Sequence, residues 1–289
     1  MKTTKTTYYR PKWMCGRYSA YGKVAITYNL LEGISYLFED HSALVVSHIL
    51  NVQRGEEIEI SYIAEQTNIS EECILQFFYE LANLGLVLNH EPSEEEEVDY
   101  RKQISLYNRS QATTKIETTE EKLPTATTTA EMDYTEKAGG ITSVMFELTY
   151  RCSEKCIHCY NIGATRNNEE QSGRALLKEL QLEDYKRIID ELYEEGLVKV
   201  TLSGGDPFSC SFTWEIIDYL YTKDIAFDLY TNGLRLVDNE ERLAKYYPRI
   251  VGISVYSAEA QVHDTITRIK GSWKKQSVSL INYLHLVSP

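Results

Sequence analysis

Three of the six cysteines, Cys152, Cys156 and Cys159, fall within the single run Cys152-Ser153-Glu154-Lys155-Cys156-Ile157-His158-Cys159, while Cys15, Cys73 and Cys210 are scattered. Crowding of this kind points to a metal centre in a reducing compartment. A disulfide framework would spread its cysteines along the chain it staples. The isolated three read as incidental thiols, because one cysteine cannot hold a cluster.

The residues around this run set its place in a fold. A strand is expected over 143–148 and an amphipathic helix over 182–195, with Leu182, Tyr185, Ile188, Ile189 and Leu192 on one face and Gly196 as its stop. Strands over 198–202, 225–230 and 250–256 then alternate with helices over 212–222, 240–247 and 273–286. Repeated strand-helix units predict an α/β fold, a parallel sheet with helices packed outside it. In such folds the chemistry sits on loops leaving the C-terminal ends of the strands, which is where the cysteine run begins.

Upstream, residues 92–140 change character. Glu94, Glu95, Glu96 and Glu97 form an acid run, and a Thr-rich stretch through Thr125, Thr127, Thr128 and Thr129 follows. This composition predicts a flexible linker, with room for a short helix over 98–107. It divides the chain into domains at 18–91 and 141–289. The first reads as a winged-helix-like α+β domain: strands over 23–28 and 34–38, then helices over 42–52, 60–66 and 71–84, the last with Ser70 as N-cap and Gly85 as stop. A winged helix ordinarily means DNA. Here the net charge is −13, and Arg54 is the only Lys or Arg between Asn29 and Tyr100. Phosphate binding relies on clustered Lys and Arg, so no nucleic-acid partner is expected. Residues 1–20 hold no apolar run, which predicts neither a signal peptide nor a membrane span and places the chain in the cytoplasm.

Three close thiolates hold three irons of a 4Fe-4S cube and leave the fourth open to a ligand. The alternative is zinc, with His158 or a distant residue as fourth ligand. His158 directly precedes Cys159, and neighbouring side chains close poorly on one tetrahedral ion.

The pattern Cys-x-x-x-Cys-x-x-Cys followed by Tyr160 resembles the signature of radical S-adenosylmethionine (SAM) enzymes. The resemblance implies a partial radical SAM (β/α) barrel. It also implies a 4Fe-4S cluster on Cys152, Cys156 and Cys159, with the amino and carboxylate groups of SAM on the open iron. Reductive cleavage of SAM would yield a 5'-deoxyadenosyl radical that takes a hydrogen atom from substrate, and His158 would lie near the adenine. Ser203-Gly204-Gly205-Asp206-Pro207 ends the second strand, where paired glycines let backbone carbonyls approach a ligand. It is similar to the family's Gly-Gly-Glu-Pro motif for the methionyl amine, with Asp206 in place of Glu. Asn232, in Thr231-Asn232-Gly233, and Ser254, in Ser254-Val255-Tyr256, resemble family positions near the SAM carboxylate and ribose. His263-Asp264 and residues 268–273 look like the loop after the fourth strand in peptide-modifying members, and the His-Asp pair reads as solvated.

The N-terminal domain likewise resembles the leader-peptide recognition element fused to such enzymes. In that family a precursor's leader adds a strand to the small sheet. The implied groove lies between residues 34–38 and Ile74, Phe77, Phe78 and Leu81. The chain is therefore expected to modify a ribosomally made precursor peptide through a thioether, a carbon-carbon crosslink or an epimerisation. A reducing partner such as flavodoxin or ferredoxin is expected with it. Family barrels carry two more strands and usually a cysteine-rich SPASM extension, so a truncated chain is expected. Two other readings stand beside this one: a non-catalytic leader-binding fragment and a zinc-containing winged-helix regulator.

Overall fold

The computed structural model describes residues 7–93, 130–160 and 179–287. The acid run, the 98–107 helix and the Thr-rich stretch expected above lie outside the described residues. The chain divides into two compact units, Met1–Gly140 and Ile141–Pro289.

In the first unit, strands β1 (Tyr8–Tyr9), β2 (Met14–Ser19), β3 (Val24–Asn29) and β4 (Ile34–Glu39) precede helix α1 (Asp40–Leu50). Strand β5 (Glu57–Ile58), α2 (Ile60–Thr67) and α3 (Glu71–Asn83) follow. β2, β3 and β4 form an antiparallel sheet in that order, and β1 pairs with β5. Ser70 caps α3 as the sequence predicts, its Oγ accepting the Cys73 N–H at 3.3 Å.

Two elements escape the sequence reading. The sheet begins with β2, before the expected start at 18, and Arg10 reaches inside to donate to Leu50 O at 2.7 Å and Val52 O at 2.6 Å. A guanidinium there satisfies carbonyls that the end of α1 would otherwise leave bare. The stretch expected as the end of a flexible linker is partly helix: α4 (Ala130–Ala138) packs on β3 and β4. The reason lies in β3, every residue of which is buried. Ala25 joins Tyr36, Phe38 and the helices α1 to α3 in one core. Val24, Ile26 and Tyr28 point to the opposite face by the period of two, and that face needs a second cover. Helix α4 provides it through the fully buried Ala130 and Tyr134, and Lys137 pairs with Glu39 at the end of β4.

The second unit is a four-stranded parallel sheet in sequence order: β6 (Ser143–Glu147), β7 (Lys199–Ser203), β8 (Ala226–Thr231) and β9 (Ile250–Ile253). Helices α5 (Leu182–Glu194), α6 (Thr213–Thr222), α7 (Glu240–Ala244), α8 (Ala260–Thr267) and α9 (Ser272–Val287) alternate with or follow the strands. Tyr185, Ile189, Ile216, Ile217 and Leu220 pack with Val200, Leu202, Phe227 and Leu229 as the core on one face. The other face carries Met145 and Glu147 of β6, Thr201 and Ser203 of β7 and Tyr230 of β8, none of them buried. Register puts Glu147 beside Ser203 and Tyr230 beside Gly252. A Cβ on Gly252 would lie 2.6 Å from the Tyr230 ring, so the glycine lets that ring lie across the sheet.

Helix α8 is a correction: the His263-Asp264 pair is helical, not a solvated loop. His263 is fully buried, and Asp264 accepts the N–H groups of Gly271 and Trp273, closing the start of α9.

If α4 is an integral layer of the first unit, Tyr134→Ala should destabilise that unit by about 3 kcal/mol. The earlier shift in urea unfolding, followed by a probe confined to residues 1–140, checks this.

Candidate active site

The cysteine loop leaves β6 at Leu148 and is held first by backbone. Leu148 N–H donates to Ser203 O at 3.0 Å, Gly205 N–H to Thr149 O at 2.7 Å and Asp206 N–H to Arg151 O at 3.0 Å. The contact is close enough to explain both glycines. Gly204 has φ +131°, and a Cβ there would sit 2.5 Å from Thr149 O; one on Gly205 would sit 2.4 Å from Arg151 O. The sequence reading reserved this space for a ligand. The backbone of the cysteine loop takes the Cβ side of both residues.

Asp206 ties this turn to the next loop. It is fully buried, and its Oδ1 accepts the Thr231 hydroxyl at 2.5 Å and the Asn232 N–H at 3.2 Å. Burial raises its pKa above the usual carboxylate range. Its Oδ2 and the Ser209 hydroxyl are both buried, and Ser209 is among the groups that hold the carboxyl down against burial. Pro207 opens a 3₁₀ turn, Pro207–Ser209, and its carbonyl accepts the Thr213 hydroxyl at 2.5 Å.

Asn232 reaches back to the cysteines. Its Nδ2 donates to Cys152 Sγ at 3.3 Å and to Ser153 Oγ at 3.3 Å, and its Oδ1 accepts the Leu234 N–H at 2.9 Å. Cys152 Sγ also accepts the Glu154 N–H at 3.4 Å. Burial raises the Cys152 pKa while these donors lower it. Cys156 is buried, and that burial, with Glu154 beside it, pushes its thiol up to about 12. Cys159 N–H closes a turn on Cys156 O at 3.2 Å.

The remaining site candidates sit around this centre. The His158 ring is 4.5 Å from that of Tyr256, edge to face. The Tyr160 hydroxyl donates to Glu147 Oε1 at 2.9 Å, on the open face of the sheet. Ser254 lies just past β9, its N–H on Thr231 O. The structure thus joins Cys152, Asp206 and Asn232 directly, His158 to Tyr256, and Tyr160 to Glu147.

Glu154 and Gln276 were given no role from sequence. Glu154 is buried, its Oε2 accepting from Cys156 Sγ at 3.4 Å and its Oε1 from Gln276 Nε2 at 2.7 Å. Burial pushes its carboxyl up to about 7. Tyr256 N–H donates to His263 Nδ1 at 3.1 Å. Nδ1 is therefore bare, and the neutral ring carries its proton on Nε2. Burial lowers the His263 pKa. No local pattern marks Glu154 or Gln276, since each sits where any side chain is allowed.

Among the described residues, no group of three His, Cys, Asp or Glu side chains is drawn together as around one metal ion. Among the described residues, none of the three cysteines of the loop is in a disulfide. Three thiols on one loop, with N–H groups already directed at Cys152 sulfur, fit the ligand chemistry of an iron-sulfur cube, whose sulfurs take such donors.

Residues 146–285 match the model of the Radical SAM superfamily. The chain is 34% identical over 130 residues to the antilisterial bacteriocin subtilosin biosynthesis protein AlbA of Bacillus subtilis, covering 44% of this chain and 27% of that protein. It is also 34% identical over 129 residues to the mycofactocin maturase MftC of Mycolicibacterium smegmatis, covering 44% of this chain and 30% of that one. The aligned stretch therefore spans under a third of either relative. Streptococcus suis SuiB, solved bound to its precursor peptide SuiA, aligns over 96% of this chain and 54% of its own with 13% identity and a TM-score of 0.48, a likeness too loose to locate any residue.

Two outcomes follow from this geometry. Gly205→Ala should cost about 1–3 kcal/mol, since the Arg151 carbonyl must move, and thermal unfolding of the second unit reads this. His263 loses its proton preference on folding, so the unfolded chain binds more protons below its ordinary pKa of about 6.5. Its contribution to stability should be intact above that pH and be lost as pH falls towards the lowered folded value. His263→Asn, which keeps an acceptor for Tyr256 N–H, should flatten that part of the pH-stability curve.

Proposed function

We propose, on the premise that residues 146–285 are a radical SAM domain, that this chain is the leader-binding and radical-generating part of a peptide maturase. Cys152, Cys156 and Cys159 hold a 4Fe-4S cluster, and SAM binds beside Gly204, Gly205, Asp206 and Pro207. The observation that carries the reading is the hydrogen-bonded path from Asp206 through Asn232 to Cys152 Sγ. It joins the loops after β6, β7 and β8 at their C-terminal ends, where an α/β fold gathers its chemistry.

When bound, the cluster and SAM supply a 5'-deoxyadenosyl radical for hydrogen-atom abstraction. The chain's own residues prepare the site for it. Asn232 directs an N–H at Cys152 sulfur and so favours the thiolate. Asp206 holds Thr231 and Asn232 in place from a position closed to water. His158 and Tyr256 form an aromatic pair beside the third cysteine, a surface suited to a flat base. The Tyr160 hydroxyl, bound to Glu147, fixes the exit of the loop against the open face, where Tyr230 and Ser203 line the space for a substrate segment.

The first unit recruits the precursor. β4 pairs with β3 on one side, and the leader takes the other side as an added strand. Phe77 of α3 stands edge to face on Phe38 at 6.1 Å, and Tyr79 and Leu75 of the same helix are exposed. The acidic helix start at Glu71 and Glu72 favours a leader carrying Lys or Arg. A flavodoxin or ferredoxin delivers the electron in the cytoplasm. No described helix is long and apolar enough to cross a membrane. Thioether formation, carbon-carbon crosslinking and epimerisation all draw on this machinery.

Anaerobic reconstitution of the chain with iron and sulfide should give a brown protein that cleaves SAM to 5'-deoxyadenosine under dithionite. The variant with all three loop cysteines changed to alanine should bind no iron. A loaded cluster without deoxyadenosine would leave a leader-binding module only. In fluorescence anisotropy, a candidate leader peptide should bind the full chain, and Phe77→Ala should weaken that binding about tenfold or more. Equal affinity for a chain lacking residues 1–91 would refute the recruiting role.

A further inference from the structure

Glu154 occupies a non-ligand position of the cysteine loop, yet its side chain is only 3% exposed. An acidic residue is almost never so buried without a partner. The partner here is not a cation. It is the amide of Gln276, itself fully buried and 122 positions further on, which donates to Glu154 Oε1 at 2.7 Å, while Oε2 faces Cys156 Sγ at 3.4 Å.

The neighbouring backbone is held by the same part of the chain. Lys155 N–H donates to Thr267 O at 3.0 Å and Ile157 N–H to Ile266 O at 2.9 Å, both carbonyls at the end of α8. Asp264 in turn holds the start of α9, accepting from Trp273 N–H at 3.0 Å and from the Ser272 hydroxyl at 3.1 Å. Gln276 lies one turn further along α9, beside His263. Glu154, Lys155 and Ile157, the residues flanking Cys156, are thus pinned by α8 and α9, and among the described residues the Glu154–Gln276 hydrogen bond is the one made through side chains.

We infer that Glu154 and Gln276 are a positioning pair that sets Cys156 sulfur from the last helix, outside the motif that names the ligands. The inference rests on the reading that Cys156 binds a cluster iron. Glu154 turns a carboxyl oxygen, not an N–H, towards this sulfur. Cys152, by contrast, receives N–H groups from Asn232 and Glu154. Cys156 meets the Tyr256 hydroxyl as well as this carboxylate, so the two ligands have different surroundings, and hydrogen bonds to the sulfurs are among the factors that set a cluster's potential.

The test uses the full chain, reconstituted anaerobically, with iron retention against a chelator and the midpoint potential of the cluster by EPR-monitored titration. Glu154→Leu and Gln276→Leu should hold iron about tenfold less well or worse, as expected when a residue that orients a ligand is lost. Glu154→Gln should restore retention, because its amide still meets Gln276. It should also shift the potential to more positive values, because it now turns an N–H towards Cys156 sulfur. Leucine variants that keep both properties of the natural chain overturn the inference. Should they fail to fold, Glu154→Gln decides alone: loaded with iron and unmoved in potential, it overturns the inference as well. A natural chain that takes up no iron instead overturns the cluster reading beneath it.

Discussion

The second unit is organised by a contact between two backbones. The Gly204–Gly205 turn lies so near Thr149 and Arg151 that a Cβ on either glycine would fall within 2.5 Å of a carbonyl oxygen. That proximity brings the loop after β7 alongside the loop after β6. Everything polar at the site depends on it, because Asp206 can then reach Thr231 and Asn232, and Asn232 can reach Cys152. A side chain at either glycine would push the two loops apart and break the path from the buried carboxylate to the first cysteine.

The cysteine loop is held from two sides by different means. Its start is fastened to β7 and β8 by backbone pairing and by Asn232. Its middle is fastened to α8 and α9 by the carbonyls of Ile266 and Thr267 and by Gln276. On the proposed reading, three ligands on so short a run would need such support, since an unsupported loop would present its sulfurs in many arrangements and a cube accepts few. The capping role of Asp264 belongs to the same design: it fixes where α9 begins and hence where Gln276 points.

The first unit follows another rule. Its central strand is buried on both faces, which obliges the chain to return after the acid- and threonine-rich stretch and lay α4 on the sheet. Amphipathic spacing in so short a helix is faint. Residues 130–138 are polar enough to read as linker, and only Ala130 and Tyr134 carry the burial. Arg10 escaped notice for a related reason: a lone arginine near the start of a chain looks solvated until the carbonyls at the end of α1 arrive beside it.

The amino-acid sequence alone determined the alternation of strands and helices, the caps at Ser70 and Gly85, and the place of the cysteine run after the first strand of the second unit. These rest on spacing within a few residues, and the periods of helix and strand are local. Only the tertiary structure decided that paired glycines serve a neighbouring loop, that His263 lies inside a helix, and that Glu154 meets Gln276. Those facts depend on which distant segment each loop touches. A hydrogen bond across 122 positions is set by the path of the whole sheet, and no pattern within either segment encodes it.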